Sequence, residues 1–134
     1  MLHTLRIKTR QQGLLDISSE VNDVVTQSGV NSGLCTVFMR HTSASLTIQE
    51  NADPSARDDL ENWLNRLVPE HDPLYTHTHE GPDDMPSHIK AILTSTSIGI
   101  PVLNQQLALG VWQGLYLWEH RKSGSTRELI IHLQ

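Results

Sequence analysis

Leu107-Ala108-Leu109-Gly110-Val111-Trp112-Gln113-Gly114-Leu115-Tyr116-Leu117-Trp118-Glu119 alternates along its whole length. On an extended backbone Leu107, Leu109, Val111, Gln113, Leu115, Leu117 and Glu119 share one face. Ala108, Gly110, Trp112, Gly114, Tyr116 and Trp118 share the other. Both faces are largely apolar, which predicts a central strand covered on both sides. Thirteen residues is long for a strand. Gly110 and Gly114 inside it mark a bulge or the close approach of another group. In the bulge reading Trp112 is core, and Gln113 needs hydrogen-bond partners if buried.

Outward from this run, Lys122 to Ser125 reads as a hairpin turn and Arg127 to Leu133 as the closing strand. Upstream, Ser97 to Leu103 is a strand whose Gly99 and Pro101 suggest an edge or an irregularity. Leu2 to Thr9 alternates as a half-buried strand, and Leu14-Leu15 can start a second one. Asp16 or Ser18 caps a helix carrying Ile17, Val21, Val24 and Val25, which Gly29 stops. Leu34 to Arg40 and Ser45 to Gln49 are two further strands. Asp53-Pro54 starts a helix whose stripe is Leu60, Trp63, Leu64, Leu67 and Val68, ended by Pro69. Pro86 opens a short helix with Ile89, Ile92 and Leu93 on its apolar side. The order predicts a single α+β domain over residues 1–134, with mainly antiparallel, β-sandwich-like sheets and about three helices.

The chain of 134 residues is long enough to bury a sizeable core. Its formal net charge of −5 argues against a general nucleic-acid binder, whose affinity rests on neutralising phosphates. No apolar run reaches membrane-spanning length, and the first residues lack a signal-peptide core, so no membrane partner and a cytoplasmic location are expected. The one cysteine, Cys35, lies in an apolar run and reads as a small core residue.

The chemistry concentrates in His77-Thr78-His79-Glu80-Gly81-Pro82-Asp83-Asp84-Met85-Pro86-Ser87-His88-Ile89-Lys90. Three imidazoles, three carboxylates and an ammonium occupy fourteen residues there. His77 and His79 project from the same face if the backbone is extended, and His88 follows at a helix start. Imidazoles converging this way can hold a divalent transition metal, unless the segment is merely a polar surface loop. Asp83 and Asp84 either orient histidine ligands or are solvated turn residues. Lys90 lies about 200° around a helix from His88.

Other candidates flank the strands. His41 is either a structural donor or part of an anion cradle with Thr42, Ser43 and Ser45. Asp53 is accounted for by helix capping, whereas Glu50 and Asn51 are not. Glu119 and Arg127 either form a cross-strand salt bridge or leave Arg127 as a phosphate fork. There is no phosphate loop, dinucleotide fingerprint or nucleophile elbow.

Three runs together resemble the YjbQ family, also called the secondary thiamine-phosphate synthase family. They are His41 to Pro54, His79 to Ala91 and Leu109 to Tyr116, with Glu119 and Arg127 completing the pattern. Val111 stands where the family's third run carries Thr. The resemblance implies a small α+β domain assembling as a homotrimer, with a histidine-lined site near the subunit boundary. The positions it carries over are His41, Glu50, Asn51, Asp53, His79, Glu80, His88, Lys90, Trp112, Gln113, Glu119 and Arg127.

The family's attributed activity joins a pyrimidine diphosphate to a thiazole phosphate, giving thiamine phosphate and pyrophosphate. On this reading the partner is a phosphorylated small-molecule substrate. His79 and His88 hold a divalent metal, zinc or magnesium, joined by His41 in one version. Glu50, Glu80, Lys90 and Arg127 are catalytic, the carboxylates moving protons and the cations neutralising phosphate. His41, Asn51, Trp112, Gln113 and Glu119 bind substrate. A metal-dependent phosphohydrolase and a non-catalytic, trimeric metal- or anion-binding protein are the alternatives that use the same residues.

Overall fold

A computed structural model describes residues 1–134. In chain order the elements are β1 (Leu2–Lys8), β2 (Gly13–Asp16), α1 (Ser18–Ser28), β3 (Ser32–Met39), β4 (Ala44–Glu50), α2 (Pro54–Leu67), α3 (Asp84–Leu93), β5 (Ser97–Leu103), β6 (Gln106–Leu107), β7 (Gln113–Glu119) and β8 (Thr126–Leu133). They form an α+β fold with two sheets, one ordered β1-β8-β3-β5-β6 and the other β2-β7-β4. Every strand pair is antiparallel. No helix is long and apolar enough to cross a membrane.

The main core joins Val37 of β3, Leu46 of β4, Leu115 and Leu117 of β7, and Leu129 and Ile131 of β8. Val21, Val24 and Val25 of α1 pack against it, and Gly29 ends that helix in the left-handed conformation at φ 76°. Cys35 is fully buried there, and burial pushes its thiol up to about 11. A smaller cluster lies on the other side of β7, where Tyr116 and Trp118 meet Leu14, Leu64 and Val68. The C-terminal half of the decisive run is therefore central and covered on both faces, as its alternation predicts.

The other half is not. The thirteen-residue strand divides, with β6 in one sheet and β7 in the other. Between them the chain turns at Gly110-Val111-Trp112, leaving Val111 80% and Trp112 64% exposed. Trp112 is thus a turn residue and not core. The turn is held by polar groups that alternation cannot register. The Gln113 amide donates to the Gly110 carbonyl (3.0 Å), and the Gln113 side-chain oxygen accepts from the Gly110 amide (2.8 Å). Asn51 donates to the carbonyls of Trp112 and Gln113, both at 3.1 Å. At Gly114 a Cβ would stand 3.0 Å from Asp16 and 3.2 Å from Asn51, so only glycine fits there without displacing them.

The third helix departs from expectation in orientation. It starts two residues before Pro86, and it buries Asp84, Pro86, Ser87 and Lys90 while Ile92 and Leu93 stay exposed. Trp63 and Leu67 on α2 are also exposed, and with Leu93 they line one apolar groove.

Candidate metal centre and polar pockets

The polar segment folds around Asp84. Asp84 and His88 are four residues apart at the start of α3, which puts them one above the other on a helix face. Asp84 is 2% exposed. Its Oδ1 accepts from Arg121 Nη1 at 2.6 Å. Its Oδ2 faces His77 Nε2 at 2.8 Å and His88 Nε2 at 3.1 Å. One ligand atom from each of the three residues lies within 4.8 Å of the others. The two imidazole centroids are 5.3 Å apart.

The other nitrogen of His88 decides what this arrangement accepts. His88 Nδ1 is 3.1 Å from the Thr42 carbonyl, an acceptor only, so Nδ1 carries the proton. In the neutral ring Nε2 then presents a lone pair toward the Asp84 carboxylate. Two acceptors facing at hydrogen-bond distance need a cation between or beside them, a proton or a metal. A carbonyl fixing the tautomer of an imidazole is the usual support of a metal-ligating histidine.

Arg121 builds the platform beneath. Its Nε donates to Asp83 Oδ2 at 3.1 Å and its Nη2 to the Glu80 carbonyl at 2.8 Å. The Lys122 amide also donates to Asp83 Oδ2, at 2.8 Å. Burial works against ionisation of Asp83, yet the Lys122 amide and the Arg121 guanidinium hold its carboxyl below the usual range. Burial likewise opposes the Arg121 charge, while Asp83 and Asp84 raise its pKa. Both acidic residues therefore anchor the loop, and Asp84 also turns one carboxylate oxygen to the two imidazoles.

The geometry groups His77, and not His79, with His88. His79 lies in the turn at Glu80-Gly81, exposed, while His77 joins His88. The shared-face argument fails because the chain leaves the extended conformation at His79, before Gly81 at φ 104°. Glu80 is exposed on the same turn, with its carbonyl engaged by Arg121. His41 is elsewhere. Its Nε2 accepts the Glu128 amide at 2.8 Å, and burial, then the Arg127 charge, lowers its pKa.

The remaining candidates divide among three places. Glu50 and Asn51, with Trp112 and Gln113, stand at the far end of β4 and the start of β7. Six residue steps of β4 separate Glu50 from Ala44, on the order of 20 Å at strand rise. One chain alone does not bring them to the histidines. Glu119 and Arg127 are buried together, Arg127 Nε on Glu119 Oε1 at 2.8 Å and Nη2 on Oε2 at 2.5 Å. Thr9 donates to the same carboxylate at 2.5 Å, so Arg127 presents no open fork. The pair is not a cross-strand one: β7 and β8 belong to different sheets, so Lys122 to Ser125 is a connection between sheets and not a hairpin, and the salt bridge ties the two sheets together. Lys90, 4% exposed, turns to the opposite side of α3 from His88 and donates to Asn65 Oδ1 at 2.6 Å. Burial lowers its pKa, against the raising effect of Glu70 and Asp83.

Three structural participants escape the sequence reading in part or whole. Asp84 is a ligand candidate and not only a supporting carboxylate, a role that its four-residue spacing from His88 signals. Arg121 is visible only as the end of a charged triplet, Glu119-His120-Arg121. His120 is 1% exposed and shares a 2.8 Å hydrogen bond with Ser45 Oγ, and burial, then the charges of Lys90 and Arg127, pushes its pKa down to about 3. No local signal separates it from a surface histidine.

Comparison with known proteins gives a consistent result. The model of the family described as UPF0047 protein YjbQ-like matches residues 3–134. The UPF0047 protein sll1880 of Synechocystis sp. is 53% identical over 129 residues, covering 96% of this chain and 88% of the relative. The UPF0047 protein YjbQ of Escherichia coli O157:H7 is 42% identical over 132 residues, covering 98% and 95%. Among solved structures, the conserved hypothetical protein TT1486 from Thermus thermophilus superposes with a TM-score of 0.88 at 31% identity, covering 98% of this chain and 99% of that one. An uncharacterized conserved protein of the yjbq/upf0047 family from Clostridium acetobutylicum gives 0.85 at 34% identity, covering 100% and 99%.

Proposed function

This chain belongs to the YjbQ-like UPF0047 family, and from that premise we propose that it is a metal-dependent enzyme acting on phosphorylated small molecules. The observation that carries the reading is the pair of imidazole nitrogens on one buried Asp84 oxygen, with the His88 tautomer set by the Thr42 carbonyl. Two nitrogens and one carboxylate suit zinc and related transition metals, whereas magnesium favours oxygen donors. A cation bound by His77, Asp84 and His88 would supply Lewis-acid stabilisation to a phosphoryl or diphosphate oxygen.

The chain's own groups do the rest. Arg121 holds Asp84 in position through Oδ1 and leaves Oδ2 for the centre. Glu80 stands on the same loop with its carboxylate free of hydrogen bonds to the protein, and we assign it proton transfer. In the synthase version, which the family resemblance supplies, the thiazole ring nitrogen forms its bond to the methylene carbon that bears the diphosphate, the carbon–oxygen bond there breaks and pyrophosphate departs. No protein nucleophile is needed, in keeping with the missing nucleophile motif. The homotrimer is part of the same proposal. The exposed Trp63, Leu67, Ile92 and Leu93 support a surface that another copy covers.

Incubating the pyrimidine diphosphate and thiazole phosphate with wild type and His88→Ala tests the reading. Thiamine phosphate formed by wild type and lost in the variant is expected. Equal turnover in both would remove His88 from the chemistry. Phosphate release from generic phosphoesters, with no coupled product, would move the assignment to a phosphohydrolase.

A further inference from the structure

Lys90 is the one buried cation of the chain that has no carboxylate within ion-pair distance. The buried Arg127 has Glu119 and the half-buried Arg121 has Asp83 and Asp84, but Lys90 has only the neutral Asn65 oxygen at 2.6 Å. An ammonium carries three N–H groups, so two are left over. It borders a cavity of about 380 Å³, lined also by Gln12, Asn65, Glu70, Asp83 and Lys122. That volume lies in the lower part of the range for small-ligand pockets, roughly 300–1,000 Å³.

The acidic groups around the cavity are already committed. Glu70 pairs with Lys122 at 3.0 Å, and Asp83 Oδ2 accepts from Arg121 Nε and the Lys122 amide. A buried charge without a counter-charge is costly. The cavity therefore offers unspent donors. They are Lys90 Nζ, the Asn65 amide nitrogen whose oxygen serves Lys90, and, at the rim, the one N–H of the Lys122 ammonium that the two Glu70 oxygens leave over. Several donors around one small space match the several oxygens of a tetrahedral oxyanion better than the two of a carboxylate.

We propose that this cavity is a phosphate-binding site, with Lys90 as its buried cation and Asn65 and Lys122 as its other donors. It is separate from the histidine centre. Lys90 and His88 are two residues apart on α3 and project about 200° from each other, so the helix stands between the two sites. The site rests on its own geometry and not on the metal reading.

The test is titration of inorganic phosphate into the protein as purified, with metal content measured on the same samples. Wild type should bind phosphate saturably at this cavity, in addition to any phosphate that a metal-loaded histidine centre takes up. Lys90→Met should weaken that binding by about tenfold or more. Asn65→Asp should do the same, because it places a carboxylate on Lys90 and keeps the lysine hydrogen bond. Asn65 is exposed, so this variant stays informative if Lys90→Met fails to fold. His77→Ala, which removes the histidine centre, should keep the phosphate affinity of this cavity. Absence of saturable binding in wild type would overturn the proposal, as would full affinity in Asn65→Asp. Loss of phosphate binding in His77→Ala would overturn it as well, by moving the anion to the histidine centre.

Discussion

Two buried side-chain pairs carry predictions that concern single residues. His120 is neutral in the folded protein because burial, helped by Lys90 and Arg127, pushes its pKa down to about 3. In the unfolded chain the same imidazole titrates near 6.5. Between these values the unfolded state binds a proton that the folded state does not. Stability therefore falls as pH drops from about 6.5 toward 3, by up to roughly 1.4 kcal/mol per pH unit from this group. Urea melts of wild type and His120→Gln between pH 7 and 4 check the sign, and the variant should show the flatter slope. Parallel slopes would mean that His120 is not the group responsible. The Glu119–Arg127 pair makes the second case. Removing one partner of a buried pair strands the other, at a cost of about 3–5 kcal/mol. Arg127→Met should lose stability on that scale in the same melts. A loss below about 1 kcal/mol would return Arg127 to the role of a substrate-facing cation.

Elements were legible in the sequence to the extent that apolar period alone fixes them. Strands β3, β4, β5 and β8, the Asp53-Pro54 start of α2 and the Gly29 stop of α1 all follow from pattern and capping. The break between β6 and β7 does not. Val111 and Trp112 continue the alternation, and only the tertiary hydrogen bonds of Asn51 and the folded-back Gln113 side chain reveal the turn. The orientation of α3 was hidden for a similar reason. Its apolar residues suggest a buried face, yet the burial of Asp84 and Lys90 is decided by Arg121 and Asn65, which are distant in sequence. The same limit applied to the site. Clustering picks out the segment, but that His77 and not His79 reaches Asp84 follows only from the turn before Gly81. At this scale α2 is anchored by Leu64, which is 2% exposed against Trp118 and Val68. Leu64→Ala should cost about 2–5 kcal/mol in denaturant melts. A cost under about 1 kcal/mol would mean that α2 is held by something other than this cluster.

For the whole molecule, the two sheets leave two unlike ends. One carries the histidine centre, supported by Thr42 and Arg121, and the other carries Glu50, Asn51 and the exposed Trp112 turn. The groove lined by Trp63, Leu67 and Leu93 runs along the helical side. Under the trimer proposal this apolar groove is covered by a neighbour. Sedimentation equilibrium should then give three chain masses for wild type and a shift toward one for Trp63→Asp. A wild-type protein that sediments as a monomer would contradict the trimer and leave Glu50 and Asn51 far from any histidine centre.

The most direct test of the central claim is elemental analysis of untagged protein alongside His77→Ala, His88→Ala and His79→Ala. The arrangement around Asp84 predicts near-stoichiometric transition metal in wild type and in His79→Ala, and its loss in the other two. Metal-free wild type, or metal retained in both His77→Ala and His88→Ala, would contradict it.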